Sequence, residues 1–142
     1  MYKILVADDE DFIRQGIKYL CDYESLGFSI ADEAANGTQA YEKILDIQPD
    51  VVFMDIRMPG MSGLEVIEKL TSQDYQGKIV IISSYTDFSY AQKAIRYGVQ
   101  YYITKPIDED ELTDVLRTLK TNLDSEKMAK HTSTHYRHKA HS

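Results

Sequence analysis

The feature that restricts the fold most is the run Val51, Val52, Phe53, Met54. These four apolar residues stop at a carboxylate, Asp55, and a loop broken by Pro59, Gly60 and Gly63. A strand that is apolar on both sides is buried on both sides, as in a parallel sheet covered by helices. Open α/β sheets bind their ligands where such strands run out into loops. Asp55 stands at such a place.

Four further stretches share that character. Residues 3–7 (KILVA) end in Asp8 and Asp9, and 28–34 reads as a second strand. Residues 78–82 (KIVII) end in Ser83 and Ser84, and 99–103 closes at Thr104, Lys105 and Pro106. Between them apolar residues recur at helical spacing. Phe12, Ile13, Gly16, Ile17 and Leu20 mark a first helix ending before Gly27. A second follows the Asn36-Gly37 turn and stops at Pro49, and a third starts near Ser62. A fourth over 88–97 stops at Gly98. The last begins near Asp108 and carries Leu112, Val115, Leu116, Leu119 and Leu123. Strict alternation of this kind predicts a parallel sheet with helices on both faces. Right-handed crossovers favour the flavodoxin-like (βα)5 order 2-1-3-4-5, in which strands 1 and 3 are neighbours.

The 142 residues are enough for one domain with its own core. Its expected extent is 1–124, with 125–142 a linker, a disordered tail or an appended extension. His131, His135, His138 and His141 in that tail could catch a metal on a helix, but a solvated tail is the simpler reading. The single cysteine, Cys21, excludes an internal disulfide and a cysteine-based zinc site. No apolar run approaches membrane-spanning length and no leader opens the chain, so a cytoplasmic location without membrane contact is expected. All 23 acidic residues precede residue 127, against 12 of the 16 basic ones, leaving −11 there. Such a body is a poor nucleic-acid binder and suits a cation or a basic partner.

In a parallel sheet the strand ends lie on one edge, so Asp8, Asp9, Asp55, Ser83 and Lys105 converge there. Singly, each has an ordinary explanation. Asp8 and Asp9 suit a helix start, Asp55 an Asx turn, Ser83 a turn, and Lys105 a solvated surface. Together they make a site. Crowded carboxylates raise one another's pKa unless a cation neutralises them, and oxygen-only ligands favour a hard ion such as Mg²⁺. A carboxylate beside such an ion can attack phosphorus, with an ammonium and a hydroxyl holding the phosphoryl oxygens.

These residues resemble the receiver domains of two-component response regulators over about 2–122. The carriers are Asp8-Asp9 after strand 1, DIRMPGMSG from Asp55, Ser83 after strand 4 and Lys105-Pro106 after strand 5. The run SSYTDFSYAQKAIRYGVQYYITKPI is similar to regulators with a C-terminal AraC-type helix-turn-helix domain, for which no room remains here. The resemblance implies that Asp55 accepts a phosphoryl group from a sensor histidine kinase. Asp9, Asp55 and the Arg57 backbone carbonyl would bind Mg²⁺ directly, and Asp8 through water. Lys105, before a cis Pro106, would pair with the phosphoryl group. Ser83 would bond it, and Tyr102 would turn inward behind Ser83, switching the face of helix 4, strand 5 and helix 5. That face is a candidate homodimer surface, and DNA would be met only through an output domain absent from this chain. Arg57 and Tyr85 stand where phosphate lifetime is tuned, and neither readily activates water, so slow phosphate loss is expected.

Other classes share the fold. A flavin or nucleotide module needs a phosphate-cradling first loop, whereas Asp8-Asp9-Glu10-Asp11 repels phosphate. An aspartyl-phosphate hydrolase commonly has a second acid where this chain has Arg57. A receiver-shaped module that is never phosphorylated would not need the full acid, hydroxyl and lysine set.

Overall fold

The computed structural model describes residues 1–84 and 88–140, leaving aside the side chains of Phe88, Ala91 and 131–140. Its elements run β1 (Tyr2–Ala7), α1 (Asp11–Leu20), β2 (Phe28–Ala34), α2 (Gly37–Ile47), β3 (Val51–Met54) and α3 (Gly63–Ser72). They continue with β4 (Lys78–Ser83), α4 (Phe88–Arg96), β5 (Tyr101–Thr104) and α5 (Glu109–Ala140). The five strands form one parallel sheet in the order β2-β1-β3-β4-β5. This is the flavodoxin-like layout that the alternation predicts.

Both faces of the sheet are covered, which is why β3 can be apolar throughout. Ile4, Val6, Phe53, Val80, Ile82 and Ile103 face α1 and α5, meeting Ile17, Leu112, Leu116 and Leu119. Leu5, Val52, Met54 and Ile81 face α2, α3 and α4, meeting Ala40, Ile44, Val66, Ile67, Leu70 and Ala94. Leu112, Leu116 and Leu119 are fully buried, and each contributes roughly 2 kcal/mol of apolar burial. Among the described residues three helix starts are capped by side chains, that of α5 by Asp108, which accepts from the Glu111 N–H at 3.0 Å. Asn36 accepts from the Gln39 N–H at 2.8 Å and Ser62 from the Glu65 N–H at 3.2 Å.

The structure departs from the sequence expectations at element ends. A short 3-10 turn, Glu24–Leu26, follows α1 and closes on Gly27 at φ 92°. β5 starts at Tyr101, not Val99, because the Val99 N–H is used on the α4 terminus, reaching the Ala94 carbonyl at 3.4 Å. The largest difference is in α5. The backbone stays helical past 124 to Ala140, within the stretch expected as linker or disordered tail. No glycine or proline interrupts 109–140, so nothing local stops the helix once its leucines are docked. Residues 125–130 are exposed, so that portion rests on propensity, not burial. Among the described residues no helix is long and apolar enough to cross a membrane.

Candidate functional site

Strand register builds the site. Ala7 pairs with Met54, so Asp8 and Asp55 leave neighbouring strands at one level. The Asp55 N–H donates to the Ala7 carbonyl at 2.9 Å, and the Asp8 N–H to the Ala34 carbonyl at 3.1 Å. Asp8 is 1% exposed and Asp55 6%, while Asp9 lies open to solvent. One carboxylate oxygen from each of Asp8, Asp9 and Asp55 falls within 4.8 Å of the others. Lys105 arrives from β5, its N–H held by the Ser83 carbonyl at 2.9 Å and its peptide to Pro106 cis. Its Nζ lies 2.8 Å from Asp8 Oδ2 and 3.5 Å from Asp55 Oδ2.

Two of the three carboxylates, Asp8 and Asp55, thus share the Lys105 ammonium. Burial first, and the Asp8 charge second, push Asp55 up to about 6. Lys105 and the Arg57 N–H, 3.4 Å from Asp55 Oδ1, act against that rise. For Lys105 burial disfavours the ammonium, but its hydrogen bond to Asp8 and the Asp55 charge outweigh it and hold the group above the ordinary lysine range. The cluster holds only oxygen ligands. Such a donor set could hold a hard divalent cation in preference to a soft one.

The loop after Asp55 is held by close backbone approach. The Gly63 N–H donates to the Ile56 carbonyl at 2.7 Å. A Cβ on Gly63 would sit 2.1 Å from the Asp55 carbonyl oxygen, and one on Gly37 1.6 Å from that of Met61. Both contacts are with backbone, so no side chain can yield.

The remaining expected residues are placed more loosely. Ser83 is fully buried and pairs with Thr104. Tyr102 is half-buried against the cluster around Ile81, its hydroxyl 3.5 Å from the Ser84 carbonyl. The Arg57 guanidinium lies over the Tyr90 ring of α4, 5.9 Å from its centroid. Tyr85 lies outside the described residues. Arg14, which sequence patterning does not single out, bonds the Asp8 carbonyl at 2.8 Å. Its only local signal is the i, i+3 spacing from Asp11.

Comparisons with known proteins agree with the fold. The family model for the response regulator receiver domain matches residues 4–117. The uncharacterized transcriptional regulatory protein YesN of Bacillus subtilis strain 168 is 39% identical over 138 residues, 97% of this chain and 38% of that protein. The REC domain of AraT, a response regulator from Geobacillus stearothermophilus, is 36% identical with a TM-score of 0.84, covering 89% of this chain and 98% of that one. A two-component transcriptional regulator AraC from Clostridium phytofermentans ISDg is 29% identical with a TM-score of 0.80, at coverages of 89% and 98%. The chain spans well under half the length of YesN.

Proposed function

Since the chain belongs to the response regulator receiver domains, we propose that Asp55 is its phosphoacceptor and a sensor histidine kinase the donor. The observation that carries this reading is the crowding of Asp8, Asp9 and Asp55 within 4.8 Å of one another beside one ammonium. A divalent cation would relieve that imbalance and offset the further negative charge that a phosphoryl group brings. An Asp55 oxygen attacks phosphorus and the P–N bond of the phosphohistidine breaks. The electron pair stays on the imidazole nitrogen, and an acyl phosphate remains on Asp55. Asp9, Asp55 and the Arg57 carbonyl would hold Mg²⁺ directly, with Asp8 acting through water. Bound there, the ion supplies charge that offsets repulsion between carboxylate and phosphoryl oxygens. Lys105, already between Asp8 and Asp55, supplies a charge-assisted hydrogen bond.

Ser83 and Tyr102 carry the switch in this reading. Ser83 would move to a phosphoryl oxygen, and Tyr102, whose hydroxyl reaches the Ser84 carbonyl at 3.5 Å, would follow it inward. The face of α4, β5 and α5 would change and could pair two copies. The length of YesN supports an output domain beyond this chain, acting on DNA in the cytoplasm. Residues 125–142 would lead to it, and the unbroken α5 favours a helical connector.

The test is intact mass after acetyl phosphate and MgCl₂, wild type against Asp55→Asn. One added phosphate on the wild type and none on the variant is expected; phosphate on both would remove Asp55 from the role. Followed in time, the same samples report lifetime, which Arg57→Asn and Tyr85→Glu should shorten.

A further inference from the structure

Arg14 is nearly buried, its side chain 11% exposed, and its guanidinium is shared among three acceptors on three segments. Nη1 donates to the Asp8 backbone carbonyl at 2.8 Å, Nε to Glu33 Oε1 on β2 at 2.8 Å, and Nη2 to Asp11 Oδ1 on α1 at 3.0 Å. Glu33 is itself fastened, since Lys18 pairs with its carboxylate and Lys43 Nζ bonds its carbonyl at 2.6 Å. We propose that Arg14 is a positioning residue. By locking the Asp8–Asp9 peptide to β2 and α1 it sets the affinity of the acidic site for a divalent cation. The inference rests on Asp8, Asp9 and Asp55 being that site.

Asp8 is restrained on every side. Its N–H meets the Ala34 carbonyl, its Oδ1 the Glu10 N–H, its Oδ2 the Lys105 ammonium and its carbonyl Arg14. Asp9 is not. It is exposed and makes no side-chain hydrogen bond among the described residues. Its direction is therefore inherited from the peptide that precedes it, and Arg14 fixes that peptide through the Asp8 carbonyl. Outer partners that orient metal ligands commonly matter ten- to a hundredfold for affinity. A planar fork with donors in three directions does what a lysine ammonium in its place cannot.

Arg14 also brings a positive charge near a cation site, which by itself weakens binding. The two effects have opposite signs, so variants separate them. Mg²⁺ binding is measured by calorimetry with MgCl₂ on metal-free protein, beside thermal unfolding and the amide NMR signals of Asp9 and Glu10. Arg14→Lys keeps the charge and loses the fork. It should raise the Mg²⁺ Kd about tenfold and broaden or split those amide signals before any metal is added. Arg14→Met, which also removes the opposing charge, should raise it less. Glu33→Gln, which loosens Arg14 without removing it, should raise it about threefold and keeps the question open to test if the Arg14 variants fail to fold. A Kd unchanged in both Arg14→Lys and Glu33→Gln, or tightened in Arg14→Met with Arg14→Lys unchanged, would overturn the positioning role and leave the site reading intact. A wild type with no saturable Mg²⁺ binding would overturn both.

Discussion

The two edges of the sheet use their charged groups in opposite ways. At the amino-terminal edge three acids, Asp50, Asp124 and Glu126, each have their own donor. Tyr2 and Lys120 Nζ, the latter at 2.8 Å, both reach Asp124, the Lys3 N–H reaches Asp50 at 2.8 Å, and Lys78 pairs with Glu126. These groups are wet, the Asp124 side chain being 48% exposed. Such pairs are worth little individually and weaken with salt. At the carboxyl-terminal edge the Asp8 side chain is 2% exposed, and the Lys105 ammonium is shared by Asp8 and Asp55 with Asp9 close by. A buried excess of one sign destabilises the fold and is tolerated where a ligand will complete it. What separates the two edges is the balance of charge and its burial.

The contrast can be broken hardest at Gly63. Gly63→Ala places a Cβ 2.1 Å from the Asp55 carbonyl, so stability should fall by roughly 3 kcal/mol and Asp55 phosphorylation with it. A chemical denaturation midpoint equal to wild type would show that the loop can move aside.

A subtler break removes the buried charge itself. Burial and Asp8 push Asp55 up from 3.8 to about 6. Near pH 3 and below the group is protonated folded or unfolded, and almost no penalty exists. As pH rises toward 6 the unfolded chain releases its proton first, so the folded state loses stability, by up to about 3 kcal/mol above pH 6. Asp55→Asn should therefore be the more stable protein at pH 7 and lose most of that advantage by pH 4. Adding MgCl₂ should then stabilise the wild type alone. Thermal unfolding at the two pH values measures this, and a variant no more stable at pH 7 would mean the acids are not in conflict.

The smallest effect is expected at the satisfied edge. The hydrogen bond from Tyr2 to Asp124, then burial, raise the Tyr2 phenol to about 12. Asp124→Asn should bring it back toward 10 in a difference absorbance titration while leaving phosphorylation unchanged. A change in phosphorylation would show that the two edges are coupled through α5.

The amino-acid sequence by itself determined the five βα units, the parallel sheet and the residues at its strand tips, because apolar periodicity and strand-end carboxylates are local patterns. Asp8, Asp55 and Lys105 were legible for that reason. Local spacing could not show that Lys105 leans toward Asp8 at 2.8 Å more than toward Asp55 at 3.5 Å. Nor could it show that Arg14 joins Asp8 to Glu33 or that Arg57 lies over Tyr90. These contacts cross between elements far apart in the chain, and strand order and helix docking alone bring them together. The persistence of α5 to Ala140 is the converse case. It was open to propensity yet hidden by polar composition, since a helix seeded by buried leucines continues until some residue stops it.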